Sequence, residues 1–210
     1  MSETHLWLAG GGCAELIVRK SRFLGYALGC KSEQEARESL HGIRREHSKA
    51  NHHVYSWRLR DAGTGQLTYR FDDDGEPGGT AGRPLLQVME SQRVVNALLV
   101  VVRYFGGIKL GTGGLVRAYS ETAVRALAEA DLQPLIPMRK VTVRIAFHHL
   151  SSLEHLIERE GIAVLDRRFE TDALLSLEVP KASLAALVRE LAELTHGAAT
   201  VEEEATGNSA

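Results

Sequence analysis

The amino-acid sequence predicts an α+β protein of two domains, and three observations lead to this prediction. The 210 residues exceed the ~100–150 residues of a typical domain. Two prolines, Pro134 and Pro137, interrupt the chain in LQPLIP, and glycine is abundant before them and scarce after them. Beyond Pro137 a new series of strand and helix patterns begins. We therefore predict domains at 13–136 and 137–205, with flexible ends at 1–12 and 206–210.

The first domain opens with patterns that are typical of a β-hairpin and a helix. Alternating apolar residues at 13–20 and 22–29 predict two strands joined by a tight turn. Ser32 followed by Glu35 is a capping box, which marks the start of a helix. Apolar residues then recur at helical spacing up to about His47.

The middle of the first domain alternates between strands and a glycine-rich loop. Segments 53–60 and 66–71 again alternate and predict a second pair of strands. The acidic, glycine-rich segment 72–84 predicts a long exposed loop, followed by a short helix at 85–91. Residues 97–104 are rich in valine without polar alternation, so we expect a strand that is buried on both faces.

The second domain shows the element order βαββαβ, which is that of a ferredoxin-like sandwich. Ser151 with Glu154 forms a capping box at the first of its helices, and Pro180 stands where the second helix would tolerate proline best. The predicted elements are strand 139–147, helix 151–160, strand 162–169, strand 173–179, helix 181–195 and strand 198–204.

Composition and charge narrow the class of function. Lys and Arg number 25 against 27 for Asp and Glu, so the net charge does not indicate a strongly basic nucleic-acid binder. The longest apolar stretch, 94–102, is shorter than the ~20 residues of a membrane span. The N-terminal residues lack the pattern of a secretory signal. Cys13 and Cys30 are too few for a disulfide framework and fit a reducing compartment, so we expect a cytoplasmic protein.

The segment RYFGGIKLGTGG at 103–114 joins the buried strand to a helix and is the first candidate site. Such a junction can direct backbone N–H groups and a helix N-terminus at an anion. Neither GxGxxG nor the P-loop spacing is present, so we expect no nucleotide cofactor. Close packing of the strand against the helix would explain the glycines equally well, and both interpretations stay open.

The segment DDDGEP at 72–77 is the second candidate site, because it holds four carboxylates: Asp72, Asp73, Asp74 and Glu76. Such oxygens suit a divalent cation or acid–base catalysis, and His52 or His53 could join them. The EF-hand spacing fails, however, and adjacent histidines in a strand point to opposite faces. We favour a solvated acidic turn, or one held by Arg70 and Arg83, and expect no bound metal.

Four segments resemble the motifs of the IMPACT/YigZ family in its bacterial two-domain form. They are KSRF at 20–23, HHVYSW at 52–57, DDDGEPGGTAGRP at 72–84 and VVVRYFGGIKLGTGGLVRAY at 100–119. The resemblance implies that the N-terminal domain has the fold shared by a domain of a small-subunit ribosomal protein and domain IV of elongation factor G. It also implies a ferredoxin-like C-terminal domain similar to domain V of that factor.

The same resemblance carries a function in translation but no catalytic residues. Eukaryotic relatives regulate translation initiation by competing for an activator of a general-control kinase. They do so partly through an RWD-type domain that lies outside the resemblance, so this partner is not carried over. What the resemblance implies for this chain is binding to RNA, to the ribosome or to a translation-associated protein.

We therefore expect a non-enzymatic cytoplasmic protein, linked to regulation of translation, that binds RNA or the ribosome through its first domain. Basic side chains would bind phosphates, and glycines would let the backbone approach them closely. The predicted binding residues are Lys20, Arg22, Arg83, Arg103, Gly106, Gly107, Lys109, Gly111, Gly113, Gly114 and Arg117. Two alternatives stay open: an enzyme that uses the four carboxylates with His52 or His53, and a protein–protein adaptor whose glycine-rich loops form a docking surface.

Overall fold

The computed structural model describes residues 4–204, so the predicted flexible tail at 206–210 lies outside the described residues. The chain divides into two compact units, Met1–Leu135 and Ile136–Ala210. Each unit combines a β-sheet with helices, which confirms the mixed α+β class predicted from the sequence. No helix within 4–204 is long and apolar enough to cross a membrane.

The first unit is built around a five-stranded antiparallel sheet. Its elements are β1 (Leu6–Gly10), β2 (Gly12–Val18), β3 (Ser21–Gly29), α1 (Glu33–Glu46), β4 (His52–Arg60), β5 (Leu67–Asp72), α2 (Gly82–Ser91), β6 (Ala97–Tyr104), α3 (Thr112–Ala128) and β7 (Asp131–Pro134). The strand order in the large sheet is β2-β3-β6-β4-β5. Strand β6 therefore lies at the centre, and β5 lies at one edge.

The central strand β6 is covered on both faces, as its valine-rich sequence predicts. Val101 faces a core that also contains residues of α2 and α3, whereas Val100 and Val102 face a core that contains residues of α1. All three valines have no exposed surface. Burial of one such side chain stabilises the fold by about 1.5–3 kcal/mol. Strand β6 is thus packed on both faces. Its last residue, Tyr104, therefore fixes the position at which the glycine-rich turn begins.

The N-terminal segment differs from the prediction that residues 1–12 are flexible. Leu6–Gly10 forms β1, which pairs antiparallel with β7 at Asp131–Pro134. Leu8 is only 3% exposed and packs into the core shared with α3. The short run LWLAG therefore has a buried apolar side chain and a strand partner, and that partner lies far away in the sequence.

The second unit contains β8 (Met138–Ile145), α4 (Phe147–Glu160), β9 (Ala163–Phe169), β10 (Ala173–Pro180), α5 (Leu184–Leu194) and β11 (Thr200–Glu203). The antiparallel strand order is β11-β8-β10-β9. Two local predictions were wrong. Ser151 lies inside α4, whose N-cap is Ala146, and Pro180 ends β10 instead of opening a helix.

Candidate functional site

The glycine-rich turn connects the end of β6 to the N-terminus of α3. Gly111 is the N-cap of α3 and has a φ of +74°, a conformation that favours glycine. Among the described residues, no side chain caps this helix. An uncapped N-terminus leaves backbone N–H groups without intrahelical partners, and the helix dipole favours negative charge there. These N–H groups are the ones with which the predicted anion-binding turn would contact a ligand.

Gly106 packs the turn against the β2–β3 hairpin turn. A Cβ atom at this position would lie 2.0 Å from the carbonyl carbon of Lys20, so no larger residue fits. The Gly106 N–H donates a hydrogen bond of 3.2 Å to Ser21 Oγ. Arg19 on the hairpin turn also donates to the carbonyl oxygen of Lys109 at 3.4 Å. These contacts bring Lys20 and the glycine-rich turn together, and they add Arg19, which the sequence analysis did not single out.

Gly113 is the one glycine of the turn that the packing of 4–204 does not explain. Gly107 and Gly111 have positive φ angles, and a Cβ at Gly114 would lie 3.0 Å from Leu110 Cβ. Around Gly113, no heavy atom of the described residues lies within 4 Å of an added Cβ, apart from the adjacent residues and the nearby backbone of the helix itself. Gly113 is also exposed on the first turn of α3. Neither a positive φ nor internal packing therefore requires a glycine at this position.

The predicted basic residues divide into exposed and engaged groups. Lys20, Arg83, Lys109 and Arg117 are all exposed. Arg22 is exposed but forms a two-bond ion pair with Glu15, at 2.8 and 3.0 Å. This contact lowers the pKa of Glu15 and raises the pKa of Arg22. Arg22 would therefore have to give up its exposed ion pair with Glu15 in order to bind a phosphate.

Arg103, predicted to bind phosphate, is instead buried and only 5% exposed. Its Nη1 donates to Glu76 Oε1 at 2.6 Å, and its guanidinium lies 5.3 Å from the ring centre of Phe23. Tyr119 donates its hydroxyl to the same Glu76 oxygen at 2.6 Å. Burial, followed by this hydrogen bond, raises the pKa of Tyr119 well above its usual range. Arg103 is thus part of a buried network beneath the turn.

The acidic segment uses its carboxylates for internal hydrogen bonds. Asp73 accepts from the backbone N–H groups of Gly79, Ala81 and Gly82, at 2.7, 3.0 and 2.7 Å. Asp73 therefore caps α2, which explains why this helix begins at Gly82 and not at Leu85. Asp74 accepts from the guanidinium of Arg44 at 2.9 Å. The arginines that hold the segment are Arg44 and Arg103, in place of the predicted Arg70 and Arg83.

His52 and His53 are held by backbone carbonyl groups. His52 Nδ1 donates to the carbonyl oxygen of Asp74 at 2.8 Å, and its Nε2 lies 3.8 Å from Glu76 Oε1. His53 Nε2 donates to the carbonyl oxygen of His47 at 3.0 Å. Within 4–204, no group of three or more His, Cys, Asp or Glu side chains is arranged to hold a metal ion. The backbone N–H of His53 also donates to Asp74 Oδ2 at 2.7 Å, so both residues help to fix the acidic segment on β4.

Comparison with known proteins gives matches over both units. The family model of the Impact N-terminal domain matches residues 19–127, and that of a domain of unknown function (DUF1949) matches residues 143–198. An IMPACT family member of Escherichia coli, YigZ, is 33% identical over 180 residues, which cover 86% of this chain and 88% of that protein. A Saccharomyces cerevisiae IMPACT homolog is 34% identical over 95 residues, 44% of this chain and 36% of that protein.

A solved structure also matches nearly the whole chain. It is described as the crystal structure of a hypothetical protein, and it superposes with a TM-score of 0.67 at 31% sequence identity. The match covers 99% of this chain and 100% of the other. The fold of both units is therefore shared with a protein of related sequence. Since the Impact N-terminal model and the full-length bacterial relative both match, this chain belongs to the IMPACT family.

Proposed function

We propose that this protein acts in the regulation of translation by binding RNA or the ribosome, without catalysing a reaction. The chain belongs to the IMPACT family, and the resemblance of its motifs to that family implies a role in translation. The proposed contact surface, which we call the glycine face, consists of Lys20, Gly107, Lys109, Gly111–Gly114 and Arg117, and we add to it the exposed Arg83 of α2. The two free cysteines support a cytoplasmic location.

The observation that carries this proposal is the exposed, uncapped N-terminus of α3 with a glycine at 113 that internal packing does not require. Lys109 lies in the turn that precedes this helix. The contact of Gly106 with the backbone of Lys20 and Ser21 places the β2–β3 hairpin turn, which carries Lys20, next to the same turn. Backbone N–H groups and basic side chains are the groups that most often bind nucleic-acid phosphates. The glycine face offers both kinds of donor.

The form of the two units supports the same proposal. We infer that the second unit is ferredoxin-like, because its βαββαβ order and its antiparallel strand order β11-β8-β10-β9 agree with that fold. For the first unit, the resemblance to the IMPACT family implies the fold that is shared with domain IV of elongation factor G. Two adjacent domains with this correspondence favour a ribosomal site of action.

The test is a titration of the full chain with single-stranded and structured RNA at several salt concentrations. We expect the double variant Lys109→Ala, Arg83→Ala to bind both RNAs more weakly than the unchanged chain. Each lost phosphate contact should reduce the salt dependence of binding, with a slope change of about 0.7 on the logarithmic scale for single strands.

The control is Arg125→Ala, since Arg125 lies on α3 outside the glycine face and pairs with Glu121 one turn away. This control should leave affinity and salt dependence unchanged. If the double variant also leaves both unchanged while its circular dichroism is normal, the glycine face does not bind RNA.

A protein partner is the second candidate, and two exposed apolar side chains of the turn favour it. Phe105 and Ile108 are 45% and 42% exposed, although each has a large apolar side chain. An Ile108→Ser variant would distinguish the two proposals. Loss of co-sedimentation with purified ribosomes at unchanged RNA affinity would support a protein contact, whereas unchanged co-sedimentation would argue against it.

A further inference from the structure

We propose that a groove between α1 and strands β4 and β5 binds a nucleotide, either free or as one unit of an RNA strand. We call it the α1 groove. It lies on the face of the sheet that is covered by α1, whereas the glycine face begins α3, which packs on the other side. The inference therefore does not depend on the proposed function of the glycine face.

The fold forms this groove because α1 covers only part of its side of the sheet. Helix α1 packs on β4 and β6, and the edge strand β5 extends beyond it. Trp57 on β4 lies directly opposite Arg70 on β5, so both side chains project to the same face. Tyr55 is two residues from Trp57 and shares that face. The floor of the α1 groove is therefore aromatic; Trp57 is only 7% exposed, so the partly exposed Tyr55 offers most of the surface on which a base could stack.

The wall formed by α1 is basic. Arg37 and Arg44 are seven residues apart, two helical turns, and both line the groove. With Arg70 they place three guanidinium groups around the aromatic floor. Their side chains are 61%, 41% and 52% exposed in the order Arg37, Arg44 and Arg70. The three charged groups are thus accessible to a ligand from solution.

The charges around the α1 groove favour an anion. Among the described residues, none of those that line it is acidic. Glu33 at the rim bonds to Arg37 and lies 3.8 Å from Arg70, while Asp74 bonds to Arg44. The three positively charged guanidinium groups are therefore paired with only two carboxylates, which leaves an excess of positive charge. The ion pairs of Glu33 are exposed and therefore weak, so an incoming phosphate can compete for Arg37 and Arg70, whereas Arg44 stays paired with the part-buried Asp74.

A nucleotide combines the two chemical features that the α1 groove would recognise. A nucleobase stacks on aromatic side chains whatever its identity. A phosphate accepts two parallel hydrogen bonds from an arginine, which a lysine cannot provide in the same geometry. The groove is shallow and open to solvent at its arginines, so the ligand would exchange freely and would not be a resident cofactor.

The fluorescence of Trp57 provides a direct measurement. The chain has two tryptophans, so a Trp7→Phe variant leaves Trp57 as its single tryptophan. We expect AMP to quench this fluorescence in a saturable manner and inorganic phosphate to have a much smaller effect. A six-nucleotide oligoadenylate in a parallel titration identifies the source of the ligand. Both affinities are compared at equal concentration of nucleotide units: tighter binding of the oligoadenylate on that scale indicates an RNA strand, whereas equal or weaker binding indicates a free nucleotide.

A variant that combines Arg37→Gln and Arg70→Gln with Trp7→Phe tests whether the ligand binds in the α1 groove. Loss of charged hydrogen bonds should weaken AMP or oligonucleotide binding by about tenfold. Arg45→Gln is the matched control, because Arg45 is an exposed arginine of α1 that does not line the groove. The absence of quenching, equal quenching by phosphate and AMP, or equal effects of the Arg45 and double variants would each overturn the proposal.

Discussion

Glu76 is the residue on which the glycine face most depends, although it contributes nothing to the surface itself. Its side chain is 4% exposed, and one of its oxygens accepts from both Arg103 and Tyr119. Arg103 in turn lies 3.4 Å from Ser21 Oγ, the same hydroxyl that accepts from the Gly106 N–H. The buried carboxylate therefore connects the acidic segment, the hairpin turn, the glycine-rich turn and α3.

We predict that Glu76→Gln strongly destabilises the first unit. The substitution keeps the shape but leaves the buried Arg103 without its counter-charge, and uncompensated buried charges typically cost about 3–5 kcal/mol. Urea unfolding followed by circular dichroism measures the loss. The control is Glu15→Gln, which breaks the exposed ion pair with Arg22 and should leave the urea midpoint unchanged. Equal midpoints for the two variants would show that the Glu76–Arg103 pair is not a stabilising contact.

The Arg103 network also shows why single residues were difficult to assign from the sequence. Arg103 lies within the glycine-rich motif, so the pattern indicated an exposed phosphate ligand. Its partner Glu76 is 27 positions away, and no local spacing indicates such a pair. Asp73 was similarly grouped with candidate metal ligands, whereas its oxygens cap α2.

The helix α3 combines two requirements that can be separated by experiment. Its first turn must be helical, and under our proposal it must also stay free of side chains at Gly113. Gly42 in the middle of α1 provides a matched comparison, because a Cβ atom there would also have open space among the described residues. The two glycines differ in whether they belong to the proposed binding face.

We predict that Gly113→Ala and Gly42→Ala both maintain or increase stability, by up to about 1 kcal/mol, because alanine favours the helix. Only Gly113→Ala should weaken RNA binding, since its methyl group would stand between the ligand and the helix N-terminus. Thermal unfolding and RNA titration of both variants provide the two measurements. Unchanged RNA affinity for Gly113→Ala would remove the main argument for the glycine face.

Among the elements, those with their own repeating pattern were predicted best. Strand β6 matches the predicted bounds 97–104, and α1 begins after Ser32, whose side chain accepts from the Glu35 N–H as the capping box implies. The second capping box, at Ser151, was misleading because α4 starts earlier, at Phe147. Strand β1 was missed because LWLAG is short and its strand partner β7 follows more than a hundred residues later.

The two units each contain the core that an autonomous domain needs. Leu153, Leu175 and Leu191 belong to a core formed within the second unit, separate from the two cores of the first. Backbone pairing among β8, β9, β10 and β11 is complete within that unit. Both features are expected of a domain that folds by itself.

We predict that residues 137–205, expressed alone, form a folded domain. Circular dichroism should show mixed helix and strand signals and a cooperative thermal transition, since the apolar core is formed within this unit. A fragment that starts inside β8, at residue 143, lacks the first five of the eight residues of this central strand and serves as the unfolded control. If the 137–205 fragment resembles that control, the second unit depends on the first for its stability.

Features that depend on local pattern could be recognised from the amino-acid sequence: the α+β class, the buried central strand, the βαββαβ order and the motifs of the IMPACT family. Hydrophobic periodicity and turn residues are properties of neighbouring positions, so they can be recognised without a structure. The folded chain was needed to show which basic residues are exposed, that Glu76 and Asp73 have internal partners, and that α1 and β5 form a groove. Those features depend on residues that are distant in the chain and that meet only when the strands pair and the helices pack on the sheet.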